Sequence, residues 1–146
     1  MKSFVIGSET YRIEPLSCVE EVLMFGRGLS IRSKEMFCPY PWEEDLETRE
    51  AVRDLIKSQQ EGRNLAYVLF HGNAPVGHFF LWQTQRIKSN GLIVPDLGIG
   101  IVDNYHGKGL GGKCMDFLEE IGKGIGTNEI ELSVDVRNDV ARKLYS

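Results

Sequence analysis

The sequence predicts an α/β fold in which helices flank a mixed, mainly antiparallel central sheet. Three observations support this prediction. Segments with apolar residues at helical spacing alternate with short runs of strand type. Two such runs, residues 65–70 and 76–83, are separated by turn-forming residues and therefore form a hairpin. A third run, residues 97–102, leads through a glycine-rich turn into a helix, which places that turn between a central strand and its helix.

The chain is predicted to begin with a short strand and a helix. The strand covers residues 11–13. The helix covers residues 18–29, because Val22 and Phe25 lie near one face together with neighbouring apolar residues. Ser17 is its expected N-cap, since a serine side chain can accept a hydrogen bond from the first free N–H groups of a helix.

A loop and a second helix follow. Residues 31–42 are predicted to form a loop, because Pro39 and Pro41 prevent regular structure. The second helix runs from about residue 43 to residue 60, and its first residues are acids that suit a helix N-terminus. Its expected inward-facing residues are Leu46, Val52, Leu55 and Ile56.

Beyond the glycine-rich turn the chain is predicted to form a helix, a strand and a last helix. The helix covers residues 109–121 and ends at the glycines that follow it, Gly122, Gly124 and Gly126. Residues 130–136 alternate between apolar and polar and predict a strand. Asn138 is the expected cap of the last helix. The predicted order is therefore β-α-α-β-β-β-α-β-α.

Length and charge bound the class of protein. The 146 residues suit one domain, residues 1–146, with a substantial core. The net charge of −4 argues against a general nucleic-acid binder, which is usually basic. No apolar stretch reaches the roughly 20 residues that span a bilayer, and the N-terminal apolar run is too short for a signal peptide. We therefore expect a cytoplasmic protein with neither a nucleic-acid nor a membrane partner.

The three cysteines predict no metal site. Cys18, Cys38 and Cys114 are widely spaced, include no CxxC pair and suggest neither zinc ligation nor a disulfide framework. We expect them to be reduced and to act as small buried hydrophobic residues.

The glycine-rich turn predicts a phosphate site. Gly107, Gly109, Gly111 and Gly112 allow the backbone to approach a ligand and to adopt positive φ angles. The first N–H groups of the following helix have no partner within the helix and carry the positive end of its dipole. A phosphate is the ligand that such a turn favours.

Two nucleotide sites share this pattern in part. Residues 107–113 fit the P-loop spacing, but Cys114 stands where that motif needs Ser or Thr for magnesium, and only a short chain follows. Gly107, Gly109 and Gly112 fit the dinucleotide-binding spacing, and Asp135 lies near the position of its acidic residue. The antiparallel strands that precede the turn argue against this second interpretation.

A second motif provides a third interpretation. The turn carries His106-Gly-Lys-Gly109-Leu-Gly111, and after it comes Asn138-Asp-Val-Ala-Arg-Lys-Leu-Tyr145. Together these segments resemble the GNAT superfamily of acyl-CoA-dependent N-acyltransferases, whose motifs are [Arg/Gln]-x-x-Gly-x-[Gly/Ala] and Asn-x-x-Ala-x-x-Leu-Tyr. The resemblance extends from Tyr11 to nearly the end of the chain and implies a GNAT-like fold.

The resemblance implies acetyl-CoA as cosubstrate, with no metal. The glycine turn would bind the pyrophosphate, the preceding strand would pair with the pantetheine arm, and Asn138 would hydrogen-bond that arm. The implied CoA-binding residues are Ile99, Gly100, Ile101, His106, Gly107, Lys108, Gly109, Leu110, Gly111, Gly112 and Asn138.

The implied reaction is direct attack of a primary amine on the thioester. Tyr145 matches the family tyrosine that serves as the acid, and a phenol is protonated at neutral pH. Asp96 is the acid nearest the start of the glycine-turn strand and is the candidate base. His78 is a weaker candidate, because a lone histidine among apolar residues is more often structural. The aromatic segment 36–42, with Glu43 and Glu44 after it, either lines an acceptor pocket or packs on the core.

Two departures from the family pattern leave alternatives open. His106 replaces the usual Arg or Gln, and we expect binding to survive because the contacts are made by backbone groups. The chain stops at Ser146, whereas the family continues through two more strands, so we expect a C-terminally truncated sheet. The sequence is then a shortened piece, or a partner supplies the strands, or activity is lost.

The sequence therefore predicts an N-acetyltransferase that acts on a primary amine of a small molecule or of a protein. The alternatives are a CoA-binding module without catalysis and a nucleotide-binding protein. The sequence does not name the amine, and a homodimer is an open alternative.

Overall fold

The structure is a computed structural model that describes residues 2–37, 39–62, 64–82, 96–124 and 131–132. Within these residues six strands form one sheet in the order of the sequence. Each of the first five strands is antiparallel to the next within that group, and the sixth strand is parallel to the fifth. The strands are β1 (Lys2–Ile6), β2 (Glu9–Pro15), β3 (Asn64–His71), β4 (Ala74–Trp82), β5 (Asp96–Ile101) and β6 (Glu131–Leu132). The predicted mixed, mainly antiparallel sheet is confirmed.

Helices cover both faces of this sheet. They are α1 (Val19–Arg27), α2 (Ile31–Met36), α3 (Asp45–Gln60) and α4 (Leu110–Gly124). On one face Leu118 of α4 shares a hydrophobic cluster with Leu69 and Phe79. On the other face Val22 of α1 and Val52 of α3 share a second cluster with Val68 and Phe80. Successive strand residues point to opposite faces, so β3 and β4 supply both clusters.

The N-terminal strand was missed by the sequence analysis. The short strand predicted at residues 11–13 is part of the longer β2. Strand β1 pairs with β2, with Lys2 opposite Ile13 and Ile6 opposite Glu9. Gly7 makes the connecting turn with a φ of 63°, in the left-handed region that favours glycine. The apolar residues of β1 are too few to predict a strand until its partner is known.

The loop predicted for residues 31–42 was also wrong in its first half, because residues Ile31–Met36 form α2. The Ser30 side chain accepts a hydrogen bond from the Ser33 N–H at 3.1 Å, as an N-cap does. The two prolines follow this helix, so they end it rather than prevent it.

Smaller corrections concern helix termini and burial. Cys18, rather than Ser17, is the N-cap of α1, and Ser17 instead donates to Glu21. Cys18 is exposed, whereas Cys114 is buried as expected. Leu46 does not face the core and is 77% exposed, because it lies in the first turn of α3.

The C-terminal predictions lie only partly within the described residues. Helix α4 continues through Gly122 to Gly124, beyond the end that the glycines predicted. Of the strand predicted at 130–136, the structure describes Glu131–Leu132, paired in parallel with β5. The helix predicted to begin at Asn138 lies outside the described residues, as does Cys38. Among the described helices, none is long and apolar enough to cross a membrane.

Candidate active site

The glycine turn between β5 and α4 is exposed and open. Gly107 and Gly109 have φ angles of 77° and 81°. No described atom lies within 4 Å of the place where a Cβ would stand on either residue. The backbone at both positions can therefore be approached closely by a ligand.

Helix α4 directs its N-terminus at this turn. The Lys113 N–H donates to the Gly109 carbonyl at 3.3 Å. The N–H groups of Leu110, Gly111 and Gly112 lie in the first turn, before the helix's own hydrogen-bond ladder. That first turn contains no acid and ends in an exposed lysine. The predicted residues thus come together as an arrangement that suits a phosphate.

A 3₁₀ turn at Asp103–Tyr105 precedes these glycines. Hydrogen bonds of two histidines hold this turn and its flanking residues on one side. The His106 Nε2–H donates to the Ile101 carbonyl at 2.7 Å, so this imidazole holds the end of β5. The Tyr105 hydroxyl and His71 Nδ1 are 2.7 Å apart, and His71 Nε2–H donates to a Glu9 carboxylate oxygen at 2.7 Å. In the tautomer that carries its proton on Nε2, the His71 Nδ1 accepts a hydrogen bond from the Tyr105 hydroxyl.

Asp103 holds the same turn from the other side and was missed by the sequence analysis. Its two carboxylate oxygens accept from the Ser30 N–H at 2.9 Å and the Ser33 hydroxyl at 3.0 Å. Burial alone would raise the pKa of Asp103, but these hydrogen bonds and nearby His106 lower it. Asp103 thereby joins the start of α2 to the segment that leads into the glycine turn. No local pattern marks this long-range contact.

Strand β5 presents two unlike faces beside the turn. Ile99 and Ile101 are half-buried and pack against the cluster that contains α4. Gly98 and Gly100 lie on the opposite face, where aromatic rings cover the backbone. Phe80 lies against Gly98, and Phe37 lies against Gly100. The described part of β6 pairs with Asp96 and Leu97 of this strand.

The aromatic segment after α2 packs on the core. The Trp42 indole N–H donates to the Phe37 carbonyl at 2.8 Å, and the Trp42 ring lies against Gly26 of α1. Tyr40 is buried between Trp42 and His78. Of the two alternatives for this segment, the described contacts favour core packing for Tyr40, while Phe37 and Trp42 keep part of their surface exposed. Glu43 and Glu44 are exposed.

His78 is a core residue. It is fully buried, and its Nδ1 lies 3.0 Å from the Tyr67 carbonyl, which can only accept, so Nδ1 carries the proton. Its Nε2 then accepts from the Tyr40 hydroxyl at 2.7 Å. Burial lowers the pKa of His78 to about 4, against the opposing effect of the Tyr67 hydrogen bond. With both nitrogens partnered and no exposed surface, His78 does not suit the role of base.

The predicted catalytic residues are only partly described. Asp96 is the first residue of β5, so it lies within the strand, and its backbone pairs with Trp82 and Glu131. Asn138 and Tyr145 lie outside the described residues. Their roles, and that of Asp96, stay predictions. Among the described residues, no group of three or more His, Cys, Asp or Glu side chains could hold a metal ion.

A family model that matches most of the sequence shows to which family the chain belongs. The model of the acetyltransferase (GNAT) family matches residues 29–146, which include the glycine turn and the Asn138–Tyr145 motif. The chain belongs to the GNAT acetyltransferase family. This membership confirms the resemblance on which the third interpretation of the glycine turn rests. Comparison with curated proteins finds no match.

Solved structures share the fold of this GNAT chain. The GNAT domain of S. lividans PAT has a TM-score of 0.80 at 14% identity, over 99% of this chain and 84% of that chain. Glucosamine-6-phosphate N-acetyltransferase from Arabidopsis thaliana has a TM-score of 0.66 at 16% identity, over 94% and 92%. An aminoglycoside N-acetyltransferase in complex with CoA has a TM-score of 0.71 at 14% identity, over 97% and 88%. At these identities the likeness shows the fold alone.

Proposed function

We propose that this protein transfers an acetyl group from acetyl-CoA to a primary amine by direct attack of the amine on the thioester. The observation that carries the proposal is the open glycine turn at the N-terminus of α4, which follows a central strand in a GNAT chain. Acetyl-CoA supplies an activated acyl group. Pyrophosphate oxygens would accept hydrogen bonds from the backbone of residues 107–112, with Lys108 and Lys113 exposed nearby.

The remaining residues take their roles from the family motifs. The backbone of Ile99, Gly100 and Ile101 aligns the pantetheine arm and orients the thioester carbonyl toward an N–H donor. Asn138 hydrogen-bonds the arm, Asp96 removes a proton from the ammonium, and Tyr145 protonates the departing thiolate. The hydrogen bonds of Asp103 and Tyr105 hold the 3₁₀ turn, which fixes the position of the glycine turn relative to the end of β5.

The acceptor is an amine of a small molecule or of a protein. Similar structures include enzymes named for glucosamine 6-phosphate, for an aminoglycoside and for the alanine of a ribosomal protein. These three acceptors form a natural assay panel, with spermidine as a polyamine.

Two measurements test the proposal. Calorimetry measures the affinity of the protein for CoA. The release of free thiol from acetyl-CoA, measured with each amine of the panel, gives the rate of acetyl transfer. Binding of CoA together with amine-dependent thiol release is the expected result. Tight CoA binding without turnover on any amine supports the alternative of a non-catalytic CoA-binding module, and stabilisation by ATP or NAD but not by CoA contradicts both.

A substitution separates chemistry from binding. Tyr145→Phe removes only the hydroxyl, so we expect a lower rate of turnover with a nearly unchanged affinity for CoA. An unchanged rate would assign Tyr145 to packing.

A further inference from the structure

We propose that Phe37 makes this protein selective for acetyl over longer acyl groups, by closing the glycine face of β5. The glycine face is the surface of the strand at Gly98 and Gly100. This inference rests on the proposed function, because it needs the thioester to lie along the backbone of Ile99, Gly100 and Ile101.

The glycine face has no room for even one added carbon. A Cβ on Gly100 would stand 2.5 Å from Cδ2 and 2.6 Å from Cε2 of the Phe37 ring. A Cβ on Gly98 would collide with the Phe80 ring. Two aromatic rings therefore lie directly on the strand backbone where side chains would otherwise project.

Phe37 is held firmly in this position. Its ring stacks on Phe80 with centroids 6.0 Å apart. It also makes edge-to-face contacts with Phe25 and His78, whose ring centroids lie 6.0 Å and 6.2 Å from its own. The Trp42 indole N–H fixes its carbonyl at 2.8 Å. Because interiors are close-packed, movement of this ring would disturb several neighbours at once.

Phe37 is also the ring that an acyl group would meet. Phe80 is only 5% exposed, whereas Phe37 is half-buried and its ring lies against Gly100. On the opposite face Ile99 and Ile101 are packed against the α4 cluster. A chain that extends from the thioester toward the glycine face therefore reaches the Phe37 ring, and each added methylene needs space that the ring occupies.

The test compares the affinities for CoA, acetyl-CoA and butyryl-CoA by calorimetry. In the wild-type protein we expect butyryl-CoA to bind more weakly than acetyl-CoA. Phe37→Ala should strengthen butyryl-CoA binding on the order of tenfold relative to acetyl-CoA, the factor expected for two newly buried methylene groups. Affinity for CoA itself should not change. Phe4→Ala is the matched control, since Phe4 is a half-buried ring that stacks on Tyr11 and lies on β1, with three strands between it and β5.

Phe37→Leu covers the case in which Phe37→Ala fails to fold, because leucine keeps more of the packing, and it should give an intermediate ratio. An unchanged ratio of butyryl-CoA to acetyl-CoA affinity in the folded Phe37 variant, with CoA binding intact, overturns the selectivity. Absence of CoA binding to the wild-type protein overturns the proposed function, and the inference with it, so the two failures are distinguishable.

Discussion

Two regions of this molecule contain glycines that serve opposite purposes. One is the turn at residues 107–112, which is exposed at residues 107–109, and the other is strand β5, whose glycines are covered by aromatic rings. At Gly107 and Gly109 the missing side chain leaves open space and permits positive φ angles. At Gly98 and Gly100 the missing side chain is replaced by aromatic rings from β4 and from the end of α2. The first region has room for a ligand close to the backbone, whereas the second has no room for an added carbon.

The comparison shows that a glycine count does not reveal a glycine's role. In the turn, substitution should impair ligand binding, and in the strand it should impair folding. Changes at Gly109 and Gly100 test these two effects directly, and changes at His78 and Asp103 test the packing and hydrogen bonds beside them.

Gly109→Asp should reduce affinity for CoA on the order of 100-fold, or about 2.7 kcal/mol. The new carboxylate would lie beside the expected pyrophosphate and would repel it. Calorimetry with CoA measures the change.

Gly72→Asp is the matched control for that variant. Gly72 has a φ of 62° and no described atom within 4 Å of its Cβ position, but it lies in the β3–β4 turn. Both variants share the strain of a left-handed non-glycine residue, about 1–2 kcal/mol. Equal CoA affinities in the Gly109→Asp and Gly72→Asp variants would show that residue 109 is not part of the CoA site.

Acid should lower the free energy of unfolding through His78, which is buried beside the Phe37 and Phe80 rings. Burial lowers the pKa of His78 from 6.5 to about 4, so the unfolded chain binds the proton more readily than the folded protein does. Stability is therefore complete above about pH 6.5 and falls by about 3 kcal/mol as the pH approaches 4. Denaturant unfolding at several pH values measures the slope.

His78→Gln should flatten this slope, although it lowers the stability at neutral pH by removing a buried hydrogen-bond partner. If the wild type and His78→Gln lose equal stability between neutral pH and pH 4, the neutral buried imidazole is not the cause.

Gly100→Ala should lower the free energy of unfolding by about 2 kcal/mol, because its Cβ would overlap the Phe37 ring. The same substitution in a Phe37→Ala background should cost less than about 0.5 kcal/mol. A double-mutant cycle by urea denaturation measures this coupling. Additive costs would show that the ring does not press on the strand.

Asp103→Asn should have the smallest effect, about 1 kcal/mol, because the amide weakens two hydrogen bonds without removing the side chain. Hydrogen exchange of residues 31–36 should rise, since Asp103 holds Ser30 and Ser33 at the start of α2. Asp54→Asn, on the exposed side of α3, is the control. Equal exchange in both variants would place the support of α2 elsewhere.

Much of the fold could be predicted because its elements carry local signals. The β3–β4 hairpin has turn chemistry between two apolar runs, and α3 and α4 have helical periodicity. The open geometry of the glycine turn was predictable for the same reason, since strand, glycines and helix follow one another directly. Its assignment to CoA needed the distant Asn138–Tyr145 motif as well.

The errors fall where a distant contact stabilises a weak local pattern. Strand β1 forms because it pairs with β2, and α2 forms where Ser30 and Ser33 meet Asp103, about 70 residues later in the chain. A short helix of this kind is marginal alone, so its periodicity carries little information.

Local pattern was therefore sufficient for the type of fold and for the open glycine turn at a helix N-terminus, because conformational freedom at glycine and the polarity of a helix terminus are properties of adjacent residues. Tertiary packing alone gave His78 its two buried hydrogen bonds, covered Gly100 with Phe37 and joined Asp103 to α2. Burial and van der Waals contact depend on which segments meet in space, and the segments that meet here are far apart in the chain.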